Sequence, residues 1–236
     1  MTYRRILLKV SGEALGRSES GRGLDLDAIG LLCRQVTEVV RSGCGVAIVC
    51  GGGNILRGAE LGESGARRAS ADYMGMLATI INGLALSDGL EREGLDTRVL
   101  TAIEIHQVAE PFVRRRALAH LERGRVVILA GGLGVPLFTT DSAAAQRAIE
   151  LRCDVLLKAT KVSGVYSSDP AIDPDAELYD ELSYMDVISR ELGVMDGTAI
   201  TLCRENDLPV IVFDLFEEGN LQRVVRGENL GTKIGS

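Results

Sequence analysis

The sequence predicts an α/β protein: a three-layer α/β/α sandwich with a mainly parallel central sheet. Apolar runs rich in β-branched residues recur along the 236 residues, with helical stretches between them. These runs are apolar almost throughout instead of alternating, so both faces of the sheet should be covered. Strand and helix take turns, which is the rhythm of parallel strands joined by crossing helices.

The expected strands, in order, are Arg5–Val10, Gly45–Cys50, Thr97–Ile103, Arg125–Ala130, Asp154–Ala159 and Pro209–Leu215. Between the first two, Leu26, Ile29, Leu32, Val36 and Val39/Val40 fall on one face of a helix. Leu77, Ile80, Ile81 and Leu84 do the same in the next one, and a third helix should start near Ser142 and run through Ala143–Leu151. Two segments break the rhythm. Gly16–Gly23 has no apolar anchor and reads as a loop, and Ser163–Pro174 reads as a hairpin or irregular loop. With no repeat and no long linker, residues 1–236 are expected to form one domain.

Composition narrows the function. The net charge is −7 and no basic stretch is interleaved with aromatics, which disfavours a nucleic-acid partner. Acidity does not forbid small anionic substrates, which respond to the local field of a cleft. The apolar runs are strand-sized and far below the ~18 residues of a membrane helix, and the opening residues do not resemble a targeting signal. Five cysteines without a Cys-x-x-Cys pair suit reduced thiols and a cytoplasmic location, and two isolated histidines are too few for a zinc site.

Ligands of open α/β sheets bind beyond the carboxyl ends of the strands. Those positions are rich here: Lys9-Val10-Ser11-Gly12-Glu13 after the first strand, Gly51-Gly52-Gly53-Asn54 with Arg57 after the second, Gly131-Gly132-Leu133-Gly134 running into Thr139-Thr140-Asp141-Ser142 after the fourth, and Lys158-Ala159-Thr160-Lys161 at the fifth. Three consecutive glycines let backbone N–H groups approach a phosphate, although a sharp strand-to-helix turn would also use them. Neither G-x-x-x-x-G-K-[ST] nor G-x-G-x-x-G is present, which weighs against a P-loop kinase and a Rossmann dehydrogenase. Lys9 ends an apolar strand, where it either faces a cleft or snorkels to solvent. Asp141, Thr140 or Ser142 could each cap the helix that follows, and Asp72 could sit near the start of the helix carrying Leu77.

Taken together, these residues resemble a known family. Leu7-Leu8-Lys9-Val10-Ser11-Gly12-Glu13-Ala14, Gly51–Gly58 and Asp72–Thr79 are similar to three successive motifs of the bacterial UMP kinases, within the amino acid kinase superfamily. Phe138–Ala144, Leu157–Val162, Gly164-Val165-Tyr166, Asp169-Pro170 and Gly231-Thr232 continue the match in order. The resemblance implies the amino acid kinase fold, with UMP and its phosphate mainly on the N-terminal part and ATP mainly on the C-terminal part.

It also implies roles. Lys9 would contact the transferring phosphoryl group, with Val10, Ser11 and Gly12 beside the ATP phosphates. Gly52 would lie against UMP, Gly53 against ATP, and Arg57 near the phosphates between them. Asp72 would accept from the UMP ribose. Leu133, Gly134, Val135, Pro136, Leu137, Phe138, Thr139 and Thr140 would wrap the nucleoside. Asp141 would hold the lysine and metal arrangement, with Lys9, Arg57 and Asp141 as the catalytic set. Thr160, Tyr166 and Asp169 would line the ATP side, and Asp196 resembles a further polar residue near the phosphates. The resemblance further implies Mg²⁺ with no assigned protein ligand, a homohexamer, GTP and UTP as effectors, and a place in pyrimidine nucleotide biosynthesis. Gly16–Gly23 overlaps the region where GTP acts in some relatives. Two departures stand out: Leu133-Gly134-Val135-Pro136 replaces a common Thr-Gly-Asn-Pro, and Ser163 replaces a common Asp.

The rival readings are an amino acid kinase acting on a carboxylate or carbamate, a nucleotide-binding storage protein related to the molybdenum storage proteins, and a purely regulatory UTP-binding protein. The Asp72–Thr79 segment speaks against the first. The joint presence of Lys9, Arg57 and Asp141, without histidine-rich segments, speaks against the storage protein.

Overall fold

A computed structural model describes residues 2–17, 20–56, 65 and 67–235. Arg57 and Gly58 therefore lie outside the described residues, as do Ser18 and Glu19 of the Gly16–Gly23 loop.

Among the described residues, nine strands form one sheet: β1 (Arg5–Val10), β2 (Gly45–Cys50), β3 (Thr97–Thr101), β4 (Glu110–Pro111), β5 (Val126–Ala130), β6 (Val155–Thr160), β7 (Glu181–Ser183), β8 (Val210–Asp214) and β9 (Thr232–Gly235). Their spatial order is β4-β3-β5-β2-β1-β6-β8-β9-β7. The first seven in that order run parallel; β9 pairs antiparallel to β8, and β7 pairs parallel to β9. All six expected strands are present, with ends shifted by at most two residues. Those not foreseen, β4, β7 and β9, have two to four residues each, too short to leave a periodic signal.

The helices are α1 (Leu26–Arg41), α2 (Arg68–Arg92), α3 (Arg114–Glu122), α4 (Thr140–Glu150), α5 (Tyr184–Ser189), α6 (Gly197–Glu205) and α7 (Asn220–Arg226). Strand alternation sorts them into two layers. Ile6, Leu8, Val46, Ile48 and Phe213 face α1, α2 and α7. Leu7, Ala47, Val49, Leu156 and Val212 face α3, α4, α5 and α6. Both cores are apolar, which gives the three-layer sandwich that the sequence predicts and explains why the strands read as continuous rather than alternating. Helix α1 buries Ile29, Leu32, Val36 and Val39 and is capped by Asp25, whose Oδ1 accepts from the N–H groups of Asp27 and Ala28. Between β6 and β7 the chain is irregular apart from one antiparallel bridge, Tyr166 to Leu178.

Helix α2 departs from expectation. Ile80 is buried, but Leu77, Ile81 and Leu84 face outward with Tyr73 and Met74, each 38–47% exposed. The face toward the sheet is built instead from Ala71, Met76, Ala78, Thr79, Asn82, Gly83, Leu86 and Leu90. Small and polar residues dominate its first half because the helix passes close to the glycine turns at the strand ends. A periodicity reading that weights large apolar side chains picks the opposite face. No helix among the described residues is long and apolar enough to cross a membrane.

Candidate active site

Parallel pairing brings the carboxyl ends of β1, β2, β5 and β6 to one edge of the sheet. From β1 the chain moves outward through β2, and it returns on the other side of β1 at β6. Loops therefore leave the two sides of β1 in opposite directions and open a crevice there.

Lys9 occupies that crevice. It follows Leu7 on the face toward α4, and register places it directly beside Lys158 of β6. Two ammonium groups side by side in a buried layer repel one another unless a carboxylate separates them. Asp141, in the first turn of α4, supplies it. Lys9 Nζ lies 2.7 Å from Asp141 Oδ1 as an ion pair, its angle outside normal hydrogen-bond geometry. Lys158 Nζ donates to Asp141 Oδ2 at 2.9 Å and also to the Val194 carbonyl.

Capping of α4 falls to Thr139, whose Oγ1 accepts from the N–H groups of Asp141 and Ser142 at 3.1 and 3.2 Å. That leaves the Asp141 carboxylate to the lysines, and the helix N-terminus further favours its charge. Asp196 closes the ring. It accepts from the hydroxyls of Thr139 and Ser142, the latter at 2.9 Å, while capping α6 through the Ala199 N–H. Burial opposes ionisation of Asp141, but the Lys9 and Lys158 ammoniums outweigh it and hold the carboxyl below the ordinary carboxylate range. Burial lowers the Lys158 pKa, against the pull of Asp141 and with the repulsion of Lys9.

Glycines line the approach. A Cβ at Gly52 would stand 2.8 Å from both Ala78 Cβ and Gly75 O on α2, so only glycine fits. At the end of β5, Gly131 and Gly132 have φ of +77° and +58°, a left-handed turn that β-carbons disfavour. Ser11 Oγ accepts from the Ala14 N–H, which starts a short 3₁₀ turn over Gly12–Leu15, and Gly12 packs against Gly53 N and Asn54.

Two cavities flank this centre. One of about 600 Å³ is lined by Lys158, Thr160, Tyr166, Asp169, Arg190 and Val194 among others. That size suits a nucleotide. It gathers Lys158 together with Thr160, Tyr166 and Asp169, the residues expected on the donor side. The other, about 170 Å³, is lined by Gly52, Gly53, Asp72, Leu133, Phe138, Thr139 and Thr140 among others. Gly53, expected on the donor side, lines this second cavity beside Gly52. Gly134, Val135, Pro136 and Leu137 do not line this cavity. Leu137 has φ +75°, and its N–H donates to Asp72 Oδ2 at 2.8 Å, tying the 132–138 loop to α2. Asp72 also pairs with Arg68. Val10 is fully buried, and its carbonyl accepts from the Gly51 N–H.

Lys158 stands at the ligand edge and within the Leu157–Val162 motif, but the sequence reading gives it no role. The signal was available: like Lys9, it is a lone lysine at the carboxyl end of an apolar strand. Thr79 and Asn82, both buried and polar on α2, were passed over as well.

The amino acid kinase family model matches residues 4–214. Among solved structures, UMP kinase from Bacillus anthracis matches with a TM-score of 0.96 at 40% identity, covering 100% of this chain and 97% of the other. UMP kinase from Ureaplasma parvum matches at 0.93 and 36% identity, covering both chains completely. Uridylate kinase from Archaeoglobus fulgidus matches at 0.72 and 28% identity, covering 98% and 99%.

The paired-lysine geometry makes one prediction. With its folded-state pKa depressed, Asp141 contributes stability above the ordinary carboxylate pKa and loses it as pH falls through the depressed value, below about pH 4. Lys158→Met removes one ammonium and should raise the Asp141 titration seen by carboxyl-carbon NMR. An unmoved titration would show that Lys158 does not hold this charge.

With the family model spanning most of its length and two solved relatives above 30% identity over all of it, the chain belongs to the amino acid kinase family.

Proposed function

We propose that the protein is a UMP kinase, transferring the γ-phosphoryl group of ATP to UMP to give UDP and ADP in pyrimidine nucleotide biosynthesis. The observation that carries this reading is the Lys9–Asp141–Lys158 centre lying between a nucleotide-sized cavity and a smaller one bordered by Asp72. Similarity to UMP kinases over the whole chain supports the choice of acceptor.

An oxygen of the UMP phosphate attacks the γ-phosphorus, and the bond to the bridging β–γ oxygen breaks, leaving ADP. The attacking phosphate has a second pKa of ~6 and is mostly ionised near neutrality, so no strong general base is needed. Asp141 is unsuited to that role, because ammonium groups face both its oxygens. It positions Lys9, whose ammonium cancels charge on the equatorial oxygens of the transferring group. Arg57 would reach the same phosphates. Asp72 would exchange its bond from the Leu137 N–H for one from the UMP ribose.

Mg²⁺ would accompany ATP and neutralise part of its phosphate charge. Among the described residues no three His, Cys, Asp or Glu side chains cluster as a metal cage, and Asp141 and Asp196 are already bonded. The residues therefore fit an ion held chiefly by phosphate oxygens and water, as Mg²⁺ commonly is.

The homohexamer belongs to this reading through the resemblance, and the outward stripe of Tyr73, Met74, Leu77, Ile81 and Leu84 on α2 offers an apolar surface for a contact between subunits. All five cysteines are free thiols, in keeping with the cytoplasm. GTP and UTP remain part of this reading as effectors.

Coupled ADP release with ATP, Mg²⁺ and separately UMP, CMP, dTMP, acetylglutamate and carbamate should give strong turnover with UMP alone. Lys9→Ala and Asp141→Ala should lower turnover by about a hundredfold or more, with UMP affinity little changed. Asp72→Ala should chiefly weaken UMP binding. Turnover with another acceptor, or wild-type turnover in either folded variant, contradicts the reading. Sedimentation should show a hexamer that Ile81→Glu dissociates; a monomeric wild-type protein contradicts the assembly.

A further inference from the structure

Helix α2 crosses behind the carboxyl ends of β2 and β5 and presents two buried polar side chains one turn apart. Thr79 is 3% exposed and Asn82 is fully buried, while Gly83 beside them packs against Ala130 and Ile128. Thr79 Oγ1 donates to the Met76 carbonyl at 2.7 Å and accepts from the Gly131 N–H at 2.8 Å. Asn82 Nδ2 donates to the Gly51 carbonyl and to Asn54 Oδ1, both at 2.7 Å. Asn54 Nδ2 in turn donates to Asn82 Oδ1 at 3.0 Å and to the Gly23 carbonyl at 2.7 Å. Every amide proton of the two asparagines is used.

Gly131 and Gly51 are the first residues past β5 and β2, which pair side by side. From these two residues start the turns that border the acceptor cavity. Burial alone would disfavour polar groups here, but a valine and a leucine would leave the buried Gly131 N–H and Gly51 carbonyl without these partners. What a fully satisfied polar network adds is a unique arrangement of the groups it bonds. Thr79 itself lines the smaller cavity, but its one hydroxyl proton goes to the Met76 carbonyl and its oxygen accepts from the Gly131 N–H, so the hydroxyl is engaged by the backbone.

We infer that Thr79 and Asn82 are positioning residues that aim the two glycine turns: Thr79 the Gly131–Gly134 turn on the acceptor side, and Asn82 the Gly51–Gly53 turn shared by both phosphates. This rests on the UMP kinase reading for the identity of the substrates, but not for the geometry.

The test compares Thr79→Val, which keeps the shape and removes the hydroxyl, with Thr79→Ser, which keeps the hydroxyl. Thr79→Val should raise the KM for UMP about tenfold, equivalent to about 1.4 kcal/mol. The KM for ATP should stay within about twofold, and the melting temperature should fall by only a few degrees, because the buried Gly131 N–H loses its acceptor. Thr79→Ser should restore the UMP value. Asn82→Ser should raise the KM for both nucleotides; if that variant does not fold, the Thr79 pair decides alone. A UMP KM in Thr79→Val within about twofold of wild type, or equal losses in the Val and Ser variants, overturns the inference. Amide exchange at Gly131 in the nucleotide-free protein gives a second readout, faster in Thr79→Val and restored in Thr79→Ser. If the unaltered protein does not turn over UMP, the kinase reading fails, and this exchange comparison still decides whether Thr79 positions the turn; unchanged exchange would overturn it.

Discussion

A single carboxylate between two buried lysines is the constraint on which the rest of the site depends. The register of β1 against β6 sets Lys9 beside Lys158 in a layer otherwise filled by Leu7, Leu156 and small residues of α4. Without Asp141 that pair would be two like charges out of water, several kcal/mol uphill. With it, the carboxylate keeps its charge and both ammoniums are fixed in direction. The requirement spreads outward. Asp141 must stay free of capping, so Thr139 caps α4. Thr139 and Ser142 are held by Asp196, and Lys158 holds the chain at Val194, close to Asp196. The wall of the larger cavity and the Lys9–Asp141 pair thus share one ammonium group.

A second constraint is the closeness of α2 to the strand ends. Gly52 touches Ala78 and Gly75, and Gly83 touches Ala130. Small residues on both sides let the helix approach the backbone of both turns. Its large apolar residues then have no place inside, so Leu77, Ile81 and Leu84 lie on the outer face.

Much of this was legible in the sequence. Six strands show as β-branched runs because the sheet is covered on both sides, and the ligand edge follows from the glycines and polar residues that end those runs. Lys9, Asp72, Asp141, Thr160, Tyr166 and Asp169 all lie at that edge or line its cavities. What the sequence did not disclose depends on partners distant in the chain. The burial face of α2 is decided by glycines in strand-end turns. The importance of Lys158 depends on a register with Lys9 about 150 residues away. Short β4, β7 and β9 exist only because a neighbouring strand offers them a ladder. The choice among Asp141, Thr140 and Ser142 as a cap was undecided for the same reason, and Thr139 took the position instead.

In the proposed reaction Lys9, held by Asp141, meets the group in transfer between the two cavities. This placement is tested most directly by a crystal structure of the protein with UMP, Mg²⁺ and a non-hydrolysable ATP analogue. The account predicts the γ-phosphate within hydrogen-bond distance of Lys9 Nζ, about 3 Å, facing the UMP phosphate from the larger cavity. A γ-phosphate lodged away from Lys9, or UMP bound away from Asp72 and Gly52, would contradict it.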